Sequence, residues 1–301
     1  PSRGSVTISG LDGSGALVDA VRFGGGMGNV ARRPAESVIS NQRSLDAGSR
    51  QASTDSAPVI REHSWKISGK PRFLEAARYW LQYAGMPDTL VYSPNKGKND
   101  YNDDYMSRAD WVNYLVHKPD SAGSVGMGIP VDVSFAFHTD AGVTPDDSII
   151  GTLGIYSTIT NGGKFPDGTS RLASRDLTDI VQTQITGDVR ALFNPDWTRR
   201  AMWDKSYYEA RKPDVPAMLL ELLSHQNLAD QRYGFDPRFR FTVCRAVYKG
   251  ILRYLADASG SEYVVQPLPV SHFAIQPVEG KRVRLSWQPV ADPLESTANP
   301  T

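Results

Sequence analysis

The sequence predicts an α/β domain: a mostly parallel, twisted sheet with helices on both faces, flanked by parts of β domains. Three observations lead there. Two short runs, 130–137 and 215–223, are almost wholly apolar, as strands are when both faces of their sheet are covered. Longer stretches with helical periodicity lie before, between and after these runs. Strands that alternate with helices in this way build parallel sheets.

Taken in order, residues 71–83 form an amphipathic helix with Pro71 at its start and Gly85 as its stop. Residues 105–116 make a second helix, and 130–137 the first core strand, through Val131, Val133, Phe135, Ala136 and Phe137. A long helix over 174–193, a second core strand over 215–223 and a closing helix over 239–255 complete the domain. Ahead of it, residues 5–9 alternate like a half-buried strand, a Gly-rich turn follows, and 16–23 form another strand-like run. Two strands do not hold a sheet by themselves, so their partners are expected upstream of residue 1 or in the rest of the chain. Residues 34–62 are polar and Ser-rich, without an aromatic side chain, and read as a linker. Near the other end, 282–287 alternates again and reads as the first strand of a following β-sandwich. The expected division is 1–33 for the end of one β domain, 34–62 for the linker, 63–260 for the α/β domain and 261–301 for the start of another β domain.

Composition narrows the function. The 301 residues carry 33 Lys and Arg against 33 Asp and Glu. A chain with no net charge has no bulk attraction for a polyanion, so nucleic acid is not an expected partner. No run of 18 apolar residues occurs, so membrane insertion is not expected either. Cys244 is the single cysteine, which excludes an internal disulfide and a multi-cysteine zinc site; any metal here must be held by His and carboxylate. Its place on the last helix reads as an inward face, so a buried thiol is expected. The chain starts at Pro1 and is expected to be a piece of something longer.

Two motifs fail on inspection. Gly26, Gly28 and Ala31 match a relaxed dinucleotide fingerprint, but Arg32, Arg33 and Pro34 follow where a helix would have to open, so a Gly-rich strand exit is the better reading. Asp100, Asn102 and Asp104 occupy the first, third and fifth places of a calcium loop. Tyr105 stands where the turn needs Gly and Trp111 where a bidentate Glu is needed, which excludes an EF-hand. A solvated acidic turn capping the next helix is expected there, with an irregular calcium or substrate contact as the alternative.

The chemistry gathers at two strand ends. The first core strand delivers His138, followed at once by Thr139, Asp140 and Gly142; the second ends on Glu221. Ligands of open α/β sheets bind at that carboxyl edge. A carboxylate closing an apolar strand is costly unless it is paired or functional. A His and a Glu on one sheet edge suit a metal-bound water, with imidazole as ligand and carboxylate as general base. His225, in the turn after Glu221, is placed to contact substrate, whereas His63 sits at the linker edge and His117 just after a helix.

The order and spacing of these segments resemble the zinc-dependent N-acetylmuramoyl-L-alanine amidases, over roughly residues 100–256. Arg108 and Asn113 keep a helical Arg-x-x-x-x-Asn spacing; Asp132, Ser134, His138 and Asp140 keep a metal strand, with Asp140 where the family has Asn; Val215, Pro216, Ala217, Glu221 and Asn227 keep the catalytic strand and its sequel. The chain is similar more narrowly to multidomain bacterial proteins often labelled xanthan lyase or putative amidase. In these a golvesin-type β domain interrupts the amidase fold and a fibronectin type III domain follows. Residues 18–26 resemble the end of the former, and Arg284, Leu285, Ser286 and Trp287 the start of the latter.

The resemblance implies a phosphorylase/hydrolase-like, amidase_3-like fold and a hydrolase of the amide between N-acetylmuramic acid and L-alanine in peptidoglycan, secreted, periplasmic or on the cell surface. It implies Zn2+ bound by His138 and two ligands expected upstream of residue 1, with Glu75 as a fallback ligand. Glu221 would be the general base, while Asp140, Asn227 and Arg108 would orient ligands or substrate. Two other readings stay open. One is a non-catalytic glycan- or peptidoglycan-binding module using aromatics such as Tyr101, Trp111, Trp197, Trp203 and Tyr207. The other is a zinc peptidase on the same fold.

Overall fold

The computed structural model describes residues 70, 72–119, 125–280 and 282–299. The two expected strands of 1–33, the 34–62 linker, the Gly26 motif and His63 lie outside the described residues. The chain forms two compact units, Pro1–Ser107 and Arg108–Thr301.

In the first unit a 3-10 turn, Arg72–Glu75, leads into α1 (Ala76–Tyr83), which ends where Gly85 takes a φ of 79°. A single turn, α2 (Asp88–Val91), precedes α3 (Asp100–Val116), which starts in this unit and ends in the next. A wholly buried guanidinium organises the described part. Arg78 donates through Nη1 to Asp100 Oδ1 at 2.8 Å and through Nη2 to Glu75 Oε2 at 2.9 Å, while its backbone N–H donates to Asp104 Oδ1 at 2.8 Å. Asp103 accepts from the Asn95 N–H at 2.7 Å. A buried cation requires such partners. The acidic run is therefore not a solvated turn: it is buried, and it makes the first turns of α3, which begins at Asp100 rather than at residue 105.

The second unit carries the sheet. After α3 come β1 (Ser134–Asp140), β2 (Leu153–Tyr156), α4 (Leu172–Leu192), β3 (Trp203–Asp204), α5 (Tyr208–Arg211), β4 (Ala217–Ser224), α6 (Leu228–Gly234), α7 (Pro237–Ser259), β5 (Ser271–Val278) and β6 (Arg282–Gln288). The described sheet runs β1-β4-β2-β3, with β1 parallel to β4, β2 parallel to β3, and β2 antiparallel to β4. It is an α/β fold on a mostly parallel sheet.

Its core follows from helical spacing. Leu177, Val181, Ile185 and Val189 recur every fourth residue of α4 and so share one face, which buries against Met218, Leu220 and Leu222 of β4 and Phe239, Val243 and Ala246 of α7. Each such aliphatic side chain contributes about 1.5–3 kcal/mol by leaving water. The helices cross closely at Gly250, where a Cβ would stand 2.8 Å from Val181 Cα. Under the same layer, Lys249 Nζ meets Asp188 Oδ2 at 2.7 Å, both side chains being buried. The ends of α7 are fixed chemically: Asp236 accepts from the Arg238 N–H at 2.8 Å, Pro237 opens the first turn, and Gly260 closes the helix with a φ of 66°. The other face of the sheet holds a thinner apolar layer, Leu153, Ile155 and Leu219 with Ala136, and α5 lies on that side through its bond to His138.

Three expectations need correcting. The run 130–137 is not a strand covered on both faces: β1 spans Ser134–Asp140, is half-exposed, and is the end strand of the described sheet, with no described neighbour beyond it. Cys244 is exposed, because the buried stripe of α7 runs through Val243 and a neighbouring residue is turned 100° away from it. The strand near 282–287 is β6, but it is the second arm of an antiparallel hairpin with β5, not a first strand.

Candidate active site

Parallel pairing of β1 with β4 puts His138 in register with Glu221, and antiparallel pairing of β2 puts Leu153 in register with Glu221 from the other side. Residues in register share a face of the sheet. His138 and Glu221 therefore stand at the end of the thin apolar layer, away from α4 and α7. The histidine lies inside the strand, ahead of a register shift between His138 and Asp140 that turns the chain at the sheet's edge.

Polar contacts close around this pair. Glu209 of α5 sets Oε2 2.9 Å from His138 Nε2 and 3.5 Å from Arg108 Nη1. Asp140 accepts from Arg200 Nη1 at 2.5 Å and from the N–H groups of Ala141 and Gly142 at 2.6 and 3.0 Å. Burial works against the Asp140 charge, yet these donors together hold its carboxyl below the ordinary carboxylate value. His225 sits on the same edge, its N–H donating to Asp140 O at 2.8 Å and its Nδ1 lying 3.1 Å from Thr139 Oγ1. Glu221 is different. Burial pushes its carboxyl above the ordinary value, and the negative charge of Asp140 pushes the same way, against the pull of His138, Arg200 and His225. Its Oε2 is buried without a hydrogen-bond partner among the described residues. A carboxyl raised by burial and lacking a partner is suited to accept a proton from a bound water.

Of the residues singled out from sequence, the structure gathers His138, Glu221, Asp140, His225 and Arg108 around this edge. Asn227 lies behind it. Its Oδ1 caps α6 by accepting from the Asp230 N–H at 2.9 Å, and its Nδ2 donates to Thr144 Oγ1 and Ser148 O at 3.1 and 2.9 Å. Asp230, fully buried, accepts from the N–H groups of Ile150 (3.0 Å), Gly151 (3.2 Å) and Ser224 (2.8 Å). Glu75 belongs to the first unit, bonded to Arg78. Asn113 of α3 bonds the segment before β4, accepting from the Asp214 N–H at 2.8 Å. Sequence reasoning missed Glu209 and Arg200. Glu209 rides on a four-residue helix and Arg200 on an irregular stretch, and neither setting leaves a periodic signal.

The resemblance implies zinc, and a catalytic zinc takes three protein ligands. Among the described residues no three His, Cys, Asp or Glu side chains converge to hold a metal ion. His138 shares its Nε2 with Glu209, and His138 with Glu209 falls one donor short of such a set. The described residues therefore do not by themselves fit the ion.

No protein-family model matches the sequence, and no curated protein matches it significantly. Among solved structures the chain is similar to the N-acetylmuramoyl-L-alanine amidase AmiC2 of Nostoc punctiforme, with 16% identity over 42% of this chain and 58% of that one, at a TM-score of 0.33. It is similar to the N-acetylmuramoyl-L-alanine amidase of Clostridium difficile 630, with 18% identity over 52% and 70% of the two chains, at a TM-score of 0.35. The catalytic domain of the amidase CwlV from Bacillus (Paenibacillus) polymyxa is also similar, with 18% identity over 55% and 89%, at a TM-score of 0.30. The match spans less than two thirds of the length of the first of these. Likeness of this size carries no argument about activity, and the fold stands on the elements described above. Among the described residues no helix is long and apolar enough to cross a membrane.

Proposed function

We propose that this chain is the catalytic part of a hydrolase that cuts the amide between N-acetylmuramic acid and L-alanine in peptidoglycan, working outside the cytoplasm or at the cell surface. One observation carries the reading: His138 and Glu221 in register on adjacent parallel strands, with burial holding the Glu221 carboxyl high. The motif resemblance in Arg108, Asn113, Asp132, Ser134, His138, Val215, Pro216, Ala217 and Glu221 supports it. We assign 1–33 and 261–301 to golvesin-like and fibronectin type III-like neighbours, the second supported by the β5–β6 hairpin.

The chemistry asked of Glu221 is one proton, moved twice. As a carboxylate it takes a proton from a water whose oxygen bonds to the amide carbon. As the carbon–nitrogen bond breaks, the same proton passes to the leaving nitrogen. The products are a carboxylate on the lactyl arm of muramic acid and the free amine of alanine. Arg108, beside Glu209, and Arg200, beside Asp140, are cations at this edge that would favour a carbonyl oxygen gathering negative charge.

Purified peptidoglycan digested with the full-length protein, read by mass spectrometry, tests the proposal. Release of peptides with a free alanine amine, lost in Glu221→Ala, is the expected result, and equal release by that variant overturns it. Short peptides digested alongside separate an amidase from a peptidase. A second reading, a module that grips glycan without cutting it, draws on Trp203 and Tyr207, which are 39% and 45% exposed, and on Arg200, whose guanidinium lies 5.5 Å from the Trp203 ring centre. Under that reading the wild-type full-length protein sediments with peptidoglycan and releases nothing.

A further inference from the structure

α5 is a single turn, too short to be stable alone, yet it is held from several directions. Ala210 is fully buried. Tyr208 Oη donates to Asp110 Oδ1 at 3.0 Å, Asn113 Nδ2 donates to Lys212 O at 3.0 Å, and His117 Nε2 lies 2.9 Å from Asp214 Oδ2. Asp110 and Asn113 of α3 and His117, the residue just past its end, are spaced three and four residues apart and so lie on one side of that helix. That face clasps the segment from Tyr208 to Asp214. What the clasp presents is Glu209, its side chain only 14% exposed, against His138 Nε2 and Arg108 Nη1.

An ionised carboxylate only accepts hydrogen bonds, whereas a neutral imidazole has one donating and one accepting nitrogen. With Glu209 on Nε2, that nitrogen carries the proton and Nδ1 is left as the acceptor of the ring. A carboxylate in this position fixes both the plane and the tautomer of a histidine. We infer that Glu209 is the positioning residue of the site: it sets the tautomer and orientation of His138, Arg108 steadies its carboxylate, and α3 fixes the turn that carries it. The inference rests on the hydrolase reading for its kinetic consequence alone.

The test uses 15N-labelled chain, with the ring nitrogens of His138 observed by NMR and assigned by their loss in His138→Gln. Wild type is compared with Glu209→Ala and with Glu209→Met, which keeps nearly the same volume should the smaller residue impair folding. In wild type Nε2 resonates as a protonated nitrogen and Nδ1 as a bare one; in the variants the two tautomers mix and the resonances approach each other. On a muropeptide substrate kcat falls at least about tenfold while KM changes less than about twofold. Ring resonances identical in wild type and both variants overturn the inference, whatever the activity. Resonances that respond to Glu209, together with a full-length protein that hydrolyses nothing, uphold the positioning role and overturn the hydrolase reading instead.

Discussion

His138 and Glu221 are direct partners across the parallel ladder of β1 and β4. Their separation is therefore set by the spacing of hydrogen-bonded strands, about 4.8 Å, and not by the conformation of a loop. The two groups differ in what surrounds them: the imidazole already has a carboxylate partner, whereas the Glu221 Oε2 has no hydrogen-bond partner among the described residues.

Glu221→Gln keeps the shape and removes the base. Peptidoglycan hydrolysis is expected to fall about 10²- to 10⁴-fold, measured by release of free alanine amine. The fold should not suffer. A carboxyl raised in the folded state binds more protons there than in the unfolded chain, so wild-type stability declines as pH climbs from the ordinary Glu value through the raised one. The Gln variant lacks that decline, and thermal melts at acidic and neutral pH will show the difference.

The same raised carboxyl sets the acid side of the pH profile. A base must be ionised to work, so kcat/KM should fall at a pH above the ordinary Glu range. Arg200 pulls Glu221 down, and in its absence Asp140 is left unneutralised beside it. Arg200→Gln should therefore move that limb further up. A limb unmoved or shifted to lower pH contradicts the assignment of Glu221.

Lys249 and Asp188 test the layer beneath. Removing one member of a buried ion pair strands the other, at a cost of about 3–5 kcal/mol. Lys249→Met is expected to lose about that much in urea unfolding. Adding Asp188→Leu to it should restore most of the loss, because an apolar pair of similar volume replaces the stranded charge.

Gly250 gives a sharper case. Inside an exposed helix Gly→Ala stabilises by up to about 1 kcal/mol. Here the new Cβ would meet the Val181 backbone at 2.8 Å, so α4 and α7 must separate. Gly250→Ala should destabilise by about 1–3 kcal/mol, read from the urea midpoint.

How much of this was legible depended on length. The helices α4 and α7 and the strand β4 announce themselves because their patterns run long enough to show a period, and His138 and Glu221 because each closes an apolar run. β3 and α5 have two and four residues, and no period fits in so few. Glu209 and Arg200 reach their partners across 71 and 60 residues of sequence, a relation that only the assembled sheet supplies. Cys244 shows a finer limit. It is adjacent to buried Val243, and an error of one residue in phase turns an outward side chain inward.

The carboxylate of Asp230 joins two stretches that the chain keeps some seventy residues apart, the approach to β2 and the end of β4. The rim above Glu221 therefore cannot breathe separately from the strand that bears it. The amide protons of Ile150, Gly151 and Ser224 should exchange with deuterium in concert, at the rate of one shared opening. A site built this way meets its ligand with a mouth of fixed outline, and what it admits is decided before anything binds.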